Sequence, residues 1–204
     1  MVSGKYSGGT KRLVLVAGTS LLAVLPLVIQ WDASSPQDSS LPRLAQVSPF
    51  LYRSGQPSEE GFKKLAAMGI RTVIDLRGAG KRARKERALV ESLGMRYENV
   101  PLSNLRRPTD DQIRRIFEVI ADPKARPVLV HCRRGEDRTG VVVALYRILY
   151  EGWEAEHAYR EMRRFGFKWY LWGMKGYVFD FARRLHAAPI QGVPFRAAKL
   201  PGGD

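Results

Sequence analysis

The chain has 204 residues, 45% of them hydrophobic, and a formal net charge of +14, which is enough apolar material for one domain with an appendage and too much for a disordered protein. A single cysteine and three scattered histidines, His131, His157 and His186, exclude an internal disulfide and a zinc-ligand cluster. The excess of cations points to phosphorylated molecules or acidic lipid surfaces; nucleic acid is not expected, since no RNA-binding signature is present.

Residues 1–30 read as a unit of their own. Lys5, Lys11 and Arg12 precede an apolar run from Leu13 to Ile29, and Trp31 with S-S-P-Q-D-S-S opens a polar linker over residues 31–42. The pattern predicts a signal-anchor or transmembrane segment that attaches the protein to a membrane. The alternative is a signal that is cleaved, releasing a secreted protein, but the only small-residue site lies near Ala33 and is poor. Cations before the run, against Asp32 and Asp38 after it, predict a cytoplasmic N-terminus and a globular domain on the extracytoplasmic side.

That domain is predicted over residues 43–187. Phe50 to Arg53 reads as a first strand, and Pro57 with Ser58 introduces a helix that Gly69 ends. Ile70 to Leu76, rich in β-branched residues, reads as a central strand. A helix from Lys81 to Leu93 carries Lys81, Arg82, Arg84, Lys85 and Arg87, either as a solvated face or as a surface for acidic lipid or a polyanion. Tyr97 to Leu102 reads as a third strand. The next helix, Asp110 to Ala121, has a capping box in Thr109 and Gln112, with Asp110 and Asp111 complementing the helix dipole.

Val128 to Gly140, V-L-V-H-C-R-R-G-E-D-R-T-G, then delivers the sole cysteine from an apolar strand into a tight loop that opens a helix near Arg138. Successive backbone N–H groups leading into a helix N-terminus make an anion-binding concavity, so a phosphate fits there. The same field favours thiolate over thiol at Cys132. Arg138 supplies a planar fork for two phosphoryl oxygens, and Gly135 lets the loop approach a ligand closely. The helix from Arg138 to Tyr150 is apolar nearly all round and is predicted to be buried. A helix over Glu154 to Arg164 and an aromatic-rich segment from Phe167 to Phe181 follow, and residues 188–204 read as a flexible tail. Strands alternating with helices predict an α/β domain whose central, mostly parallel twisted sheet of four to five strands is flanked by helices on both faces. The ligand site is then expected beyond the carboxyl ends of the strands.

The string His131, Cys132, Arg138, Thr139 matches H-C-x5-R-[ST] and resembles the signature of the cysteine-dependent protein tyrosine and dual-specificity phosphatases. The resemblance extends over L-Y-R-S-G-Q-P, G-I-R-T-V-I-D-L-R and A-L-Y-R-I-L-Y-E-G-W and is greatest for the compact bacterial type and the plant and fungal atypical enzymes. It implies a phosphomonoesterase that forms a phosphocysteine on Cys132 and needs no metal or other cofactor. The phosphoryl group would be held by Arg138 and the loop from Arg133 through Arg134, Gly135, Glu136 and Asp137. Thr139 would stabilise the departing thiolate, and His131 would either orient the cysteine or cap the strand end. Phosphotyrosine or dual-specificity protein substrates are the first expectation. Phosphoinositides, inositol polyphosphates or a phosphorylated envelope lipid or glycan are the rival, since Arg133 and Arg134 offer contacts for extra phosphates; a non-catalytic phosphate-binding module would need a damaged signature. Pocket depth and oligomeric state are not legible in the sequence.

The general acid departs from the family pattern. Many members carry an aspartate on the loop before the third helix, but Ser103 to Pro108 contains none. Asp137, inside the signature as in the myotubularin lipid phosphatases that the motif also resembles, is one candidate. Asp110 and Asp111 are the others, and the reading that neither position supplies the proton stays open.

Overall fold

The computed structural model describes residues 38–187. The predicted N-terminal segment, the linker as far as residue 37 and the tail from residue 188 lie outside the described residues. Among the described residues no helix is long and apolar enough to cross a membrane.

Five strands form one sheet in the order β1-β2-β5-β3-β4. These are β1 (Ala45–Ser48), β2 (Leu51–Ser54), β3 (Thr72–Asp75), β4 (Arg96–Asn99) and β5 (Val128–His131). All neighbours pair in parallel except β1 and β2, which are antiparallel. The first predicted strand is therefore the second. Preceding it is an edge strand, A-Q-V-S, whose register shifts between Gln46 and Ser48; its apolar-polar alternation spans only four residues, too few to announce it. In the register of the central strands, Ser54, His131 and Asp75 share one row at the carboxyl edge, which places Cys132 just beyond that edge, where the strand-helix alternation put the ligand site.

Six helices cover the sheet: α1 (Glu59–Ala67), α2 (Lys81–Ser92), α3 (Asp110–Ala121), α4 (Asp137–Glu151), α5 (Ala155–Arg164) and α6 (Trp172–Ala187). Alternation along β5 divides the core. Val128, Val130 and Cys132 face a large cluster built with α3, α4 and α6, whereas Leu129 faces a smaller one with Phe62 and Leu65 of α1, Val90 of α2 and Tyr97 of β4. Leu41 belongs to the smaller cluster, and Gly55 N–H donates to Pro42 O at 2.7 Å, so packing begins upstream of Arg43. Helix α4 is buried continuously from Thr139 to Tyr146. Each fully buried Val or Leu on it contributes about 1.5–3 kcal/mol relative to exposure, enough to fix the helix whose first turn carries the signature arginine. Gly152, at φ 68°, closes α4 in the left-handed region.

Two local predictions are realised in detail. Thr109 Oγ1 accepts the Gln112 N–H at 3.2 Å while Gln112 Oε1 accepts the Thr109 N–H at 2.8 Å, the reciprocal capping box that starts α3. On α2 all five predicted basic residues are exposed, and the buried positions are Ala83, Glu86 and Val90.

Candidate active site

The loop from Cys132 to Asp137 joins β5 to α4, and it turns because Gly135 adopts φ 73°. A Cβ at that position would lie 2.6 Å from Gly55 N and 2.7 Å from the Ser54 carbonyl group, so the loop packs backbone against backbone on the chain leaving β2. Gly135 N–H points at Cys132 Sγ, at 3.3 Å. The thiol group is almost fully buried and lies at the base of a pocket of about 210 Å³. Arg133, Arg134, Asp137 and Arg138 line that pocket from the loop, Asn104 and Leu105 from the β4–α3 connection, and Lys168, Tyr170 and Leu171 from the segment before α6. Arg138 Nη1 donates to Leu76 O at 3.3 Å, which ties the guanidinium to the end of β3.

Glu136 turns away from the pocket and is nearly buried. Its carboxylate meets Arg43 Nη2 at 3.0 Å, Arg134 Nε at 2.9 Å and Lys168 Nζ at 3.3 Å, so one carboxylate gathers three cations around the loop. Asp137 faces the pocket: Oδ1 accepts the Lys168 N–H at 3.0 Å and Oδ2 meets Arg134 Nη2 at 3.3 Å. Asp137 thus borders the site and also fastens the segment that forms the opposite wall.

Asp110 and Asp111 stand elsewhere. Asp110 accepts from Tyr177 Oη at 2.7 Å and from both terminal nitrogens of Arg184, at 2.7 and 3.0 Å. The Arg184 bond, followed by the Tyr177 bond, holds its carboxyl at about 2 against the burial that opposes ionisation. Asp111 is exposed and paired with Arg114. Neither lines the pocket, so neither stands beside a leaving group held there.

His131 is fully buried on the opposite face of β5 from Cys132, as strand alternation requires. Its Nε2 lies 2.9 Å from Glu86 Oε1 and 4.0 Å from Asp75 Oδ1, and its ring stands edge-on to Phe62. The imidazole therefore lies behind the strand end, against Glu86 of α2 and Phe62 of α1. Around it, Arg77 binds Asp75 through Nε and Nη2 at 2.8 and 2.7 Å and Glu86 through Nη2 at 2.5 Å. Tyr97 Oη donates to Asp75 at 2.7 Å, and Gln56 Nε2 to Glu86 at 2.6 Å. Burial disfavours ionisation of Asp75, but the bonds from Arg77, the nearby His131 and Tyr97 outweigh it and hold the carboxyl below its usual range. Asp75, Glu86 and His131 are close enough together to ligate a metal ion, yet the Arg77 guanidinium already occupies that position as the cation. Thr139 is buried, and its Oγ1 has no hydrogen-bond partner among the described residues.

Sequence reasoning named the loop residues but missed what surrounds them. Glu86 was hidden in a run of exposed charges, and Lys168 and Tyr170 in a stretch read only as aromatic packing. Arg53 and Gln56 lie in L-Y-R-S-G-Q-P, where the sequence alone assigns neither a role.

Comparison with known proteins agrees with this geometry. A family model described as "DSP-PTPase phosphatase fused to NAD+ Kinase" matches residues 22–169. The chain is 32% identical over 124 residues to the dual specificity protein phosphatase TpbA of Pseudomonas aeruginosa strain UCBPP-PA14, covering 61% of this chain and 55% of that protein. It is 30% identical over 125 residues to the inositol diphosphatase DSP2 of Oryza sativa subsp. japonica, covering 59% of this chain and 60% of that one. The crystal structure of P. aeruginosa TpbA superposes with a TM-score of 0.58 at 28% identity, over 71% of this chain and 91% of the TpbA chain. The match thus spans only a little over half the length of these curated relatives.

Proposed function

The chain belongs to the DSP-PTPase phosphatase family, and on that premise we propose that it hydrolyses phosphomonoesters through a phosphocysteine formed on Cys132. The observation that carries this reading is the buried Sγ at the pocket base, facing the Gly135 N–H at 3.3 Å with Arg138 on the wall. The thiolate attacks phosphorus, and the P–O bond to the leaving group breaks as the P–S bond forms. Arg138 and the loop amides hold the non-bridging oxygens through the charge that develops. The departing oxygen takes a proton, and Asp137, the carboxylate bordering the pocket among the described residues, is the group proposed to give it. Water then attacks phosphorus, passing a proton back to Asp137 as the P–S bond breaks, and phosphate leaves with Cys132 restored as thiolate. The unpartnered hydroxyl of Thr139 supports its proposed part in receiving that thiolate, because an unsatisfied buried donor costs about 1–3 kcal/mol in the resting state.

Protein phosphotyrosine or dual-specificity substrates remain the first reading, supported by the likeness to TpbA. One observation favours a second. Arg133, Arg134 and Lys168 line the pocket in addition to Arg138, which suits inositol phosphates or phosphorylated lipids, and DSP2 carries the name inositol diphosphatase. Turnover of a phosphotyrosine peptide set beside that of inositol polyphosphates, at equal ionic strength, tests both readings. Preference for the peptide sinks the second, and preference for the polyphosphate sinks the first.

The reading also keeps a membrane-anchored domain on the extracytoplasmic side, supported by the basic flank and apolar run of residues 1–30. The pocket rim adds support. Trp169, Tyr170 and Trp172, at or next to the pocket wall, are all more than half exposed, and amphipathic aromatics of this kind suit a bilayer interface. Protease cleavage of the domain in intact cells is expected; cleavage only after lysis would reverse the orientation.

A further inference from the structure

The stretch Arg53 to Gln56 lies behind the phosphate loop, and its contacts share a direction. Arg53 Nη2 donates to Gly135 O at 2.8 Å, Gln56 N–H donates to Arg133 O at 3.2 Å, and Arg43 Nη1 reaches Arg134 O at 3.5 Å. Three consecutive loop carbonyls are therefore held from behind. Each carbonyl fixes the N–H of the next residue to face the other way: Arg134 O, held by Arg43, sets the Gly135 N–H, which points toward Cys132 Sγ, and Gly135 O, held by Arg53, sets the Glu136 N–H.

Arg53 is the member of this set whose presence needs explaining. It is 1% exposed on a strand next to β5, and its guanidinium lies 3.6 Å above the Phe165 ring. A buried cation is costly unless a negative charge answers it. Burial brings the guanidinium down to about 10, opposed by the charges of Glu161 and of Cys132, while Arg147 and Arg43 push the same way as burial. It is still charged at neutral pH. A full ion pair with Glu161 would explain the burial, but Glu161 is bound by Arg147, at 3.0 and 3.3 Å. Arg53 Nε has no hydrogen-bond partner among the described residues. The cation is thus kept in the core behind the phosphate loop without a carboxylate of its own.

We propose that Arg53 is a positioning residue for Cys132: it holds the peptide joining Gly135 to Glu136 so that the Glu136 N–H faces the substrate, and it places a buried positive charge behind the loop that carries the thiolate. The inference rests on the phosphocysteine reading, though its first readout does not need turnover. The rate of Cys132 alkylation by iodoacetamide, followed against pH, reports the thiolate directly. In Arg53→Gln the midpoint moves to higher pH, and kcat/KM for p-nitrophenyl phosphate falls about 10- to 100-fold, the scale of a hydrogen bond from a charged donor. Arg53→Lys, which restores charge without the planar fork, recovers most of the midpoint but less of the rate. A folded Arg53→Gln protein with an unmoved alkylation midpoint overturns the proposal and leaves Arg53 as a packing residue. Should the variants not fold, the unaltered protein decides the matter. Its Arg53 guanidinium NMR signals follow Cys132 through the alkylation midpoint if the two are coupled, and signals indifferent to that midpoint overturn the idea. If the native protein hydrolyses no phosphomonoester while this coupling is present, the phosphatase reading fails and the link from Arg53 to the thiol group stands.

Discussion

Replacing Asp137 by asparagine separates the two tasks that the structure gives this side chain. Its structural share can be bounded. The amide of Asp137→Asn would keep a carbonyl oxygen for the Lys168 N–H that Asp137 Oδ1 accepts at 3.0 Å, and would lose only the charge facing Arg134, whose side chain is 56% exposed. A pair open to solvent on its arginine side, with Asp137 14% exposed, is worth about 1 kcal/mol, so loosening the Lys168 wall slows the reaction by about fivefold, and equally for every substrate. Loss of a proton donor is larger and selective. General acid catalysis contributes about 100- to 10,000-fold, and it matters most where the leaving group is basic. The expected result is therefore a loss of two orders of magnitude or more in kcat/KM with an alkyl phosphate, a small loss with p-nitrophenyl phosphate, and a melting temperature close to that of the native protein. Equal slowing of the two substrates would refute the reasoning and leave Asp137 as a fastener of the Lys168 segment.

Cys132→Ser removes the nucleophile from a site whose packing changes little, so turnover vanishes while circular dichroism and phosphate binding persist; measurable hydrolysis would end the phosphocysteine mechanism. Peroxide inactivates the native protein without a new internal disulfide, because the chain has no second cysteine, and thiol restores activity after brief exposure; indifference to peroxide at neutral pH means that Cys132 is not ionised there. Gly135→Ala forces a Cβ within 2.7 Å of the Ser54 carbonyl and into a left-handed conformation. It is expected to lower activity at least 100-fold and stability by about 1–3 kcal/mol, and a near-native enzyme would show that the loop can be rebuilt. Asp110, held at about 2 against an ordinary 3.8, adds stability that is complete above pH 4 and drains away as the pH falls through 2. The deficit of Asp110→Asn in thermal melts is thus small, the Asp110 side chain being 58% exposed, and disappears below pH 2 with turnover at neutral pH unchanged.

Local chemistry was readable in the sequence wherever one residue type settles a local question. Thr109 and Gln112 announced the start of α3, Gly69 the end of α1, and the Val128 to Gly140 string the nucleophile, its arginine and the turn between them. Elements whose stability comes from remote partners were not readable. Strand β1 exists because β2 offers it an edge, and nothing in A-Q-V-S requires it. Glu86 looks like its exposed neighbours until the fold brings His131, Arg77 and Gln56 to it. The distinction between Asp110 and Asp137 depended on Arg184 and Tyr177, more than sixty residues away from Asp110 along the chain. Charge was legible as a total of +14, but not the way in which part of it is gathered around a single buried acid.

That gathering changes what the pocket is. Arg43, Arg134 and Lys168 are already neutralised in part by Glu136, so the rim acts as an ion exchanger rather than as bare positive charge. An incoming anion must detach Arg134 or Lys168 from its resident counterion before it gains from either. A ligand with a single phosphate, already held by Arg138 and the loop amides, gets little from that trade. A ligand with a second phosphate at the rim completes the exchange, and the acid buried beneath the loop thereby grades ligands by how many charges they bring.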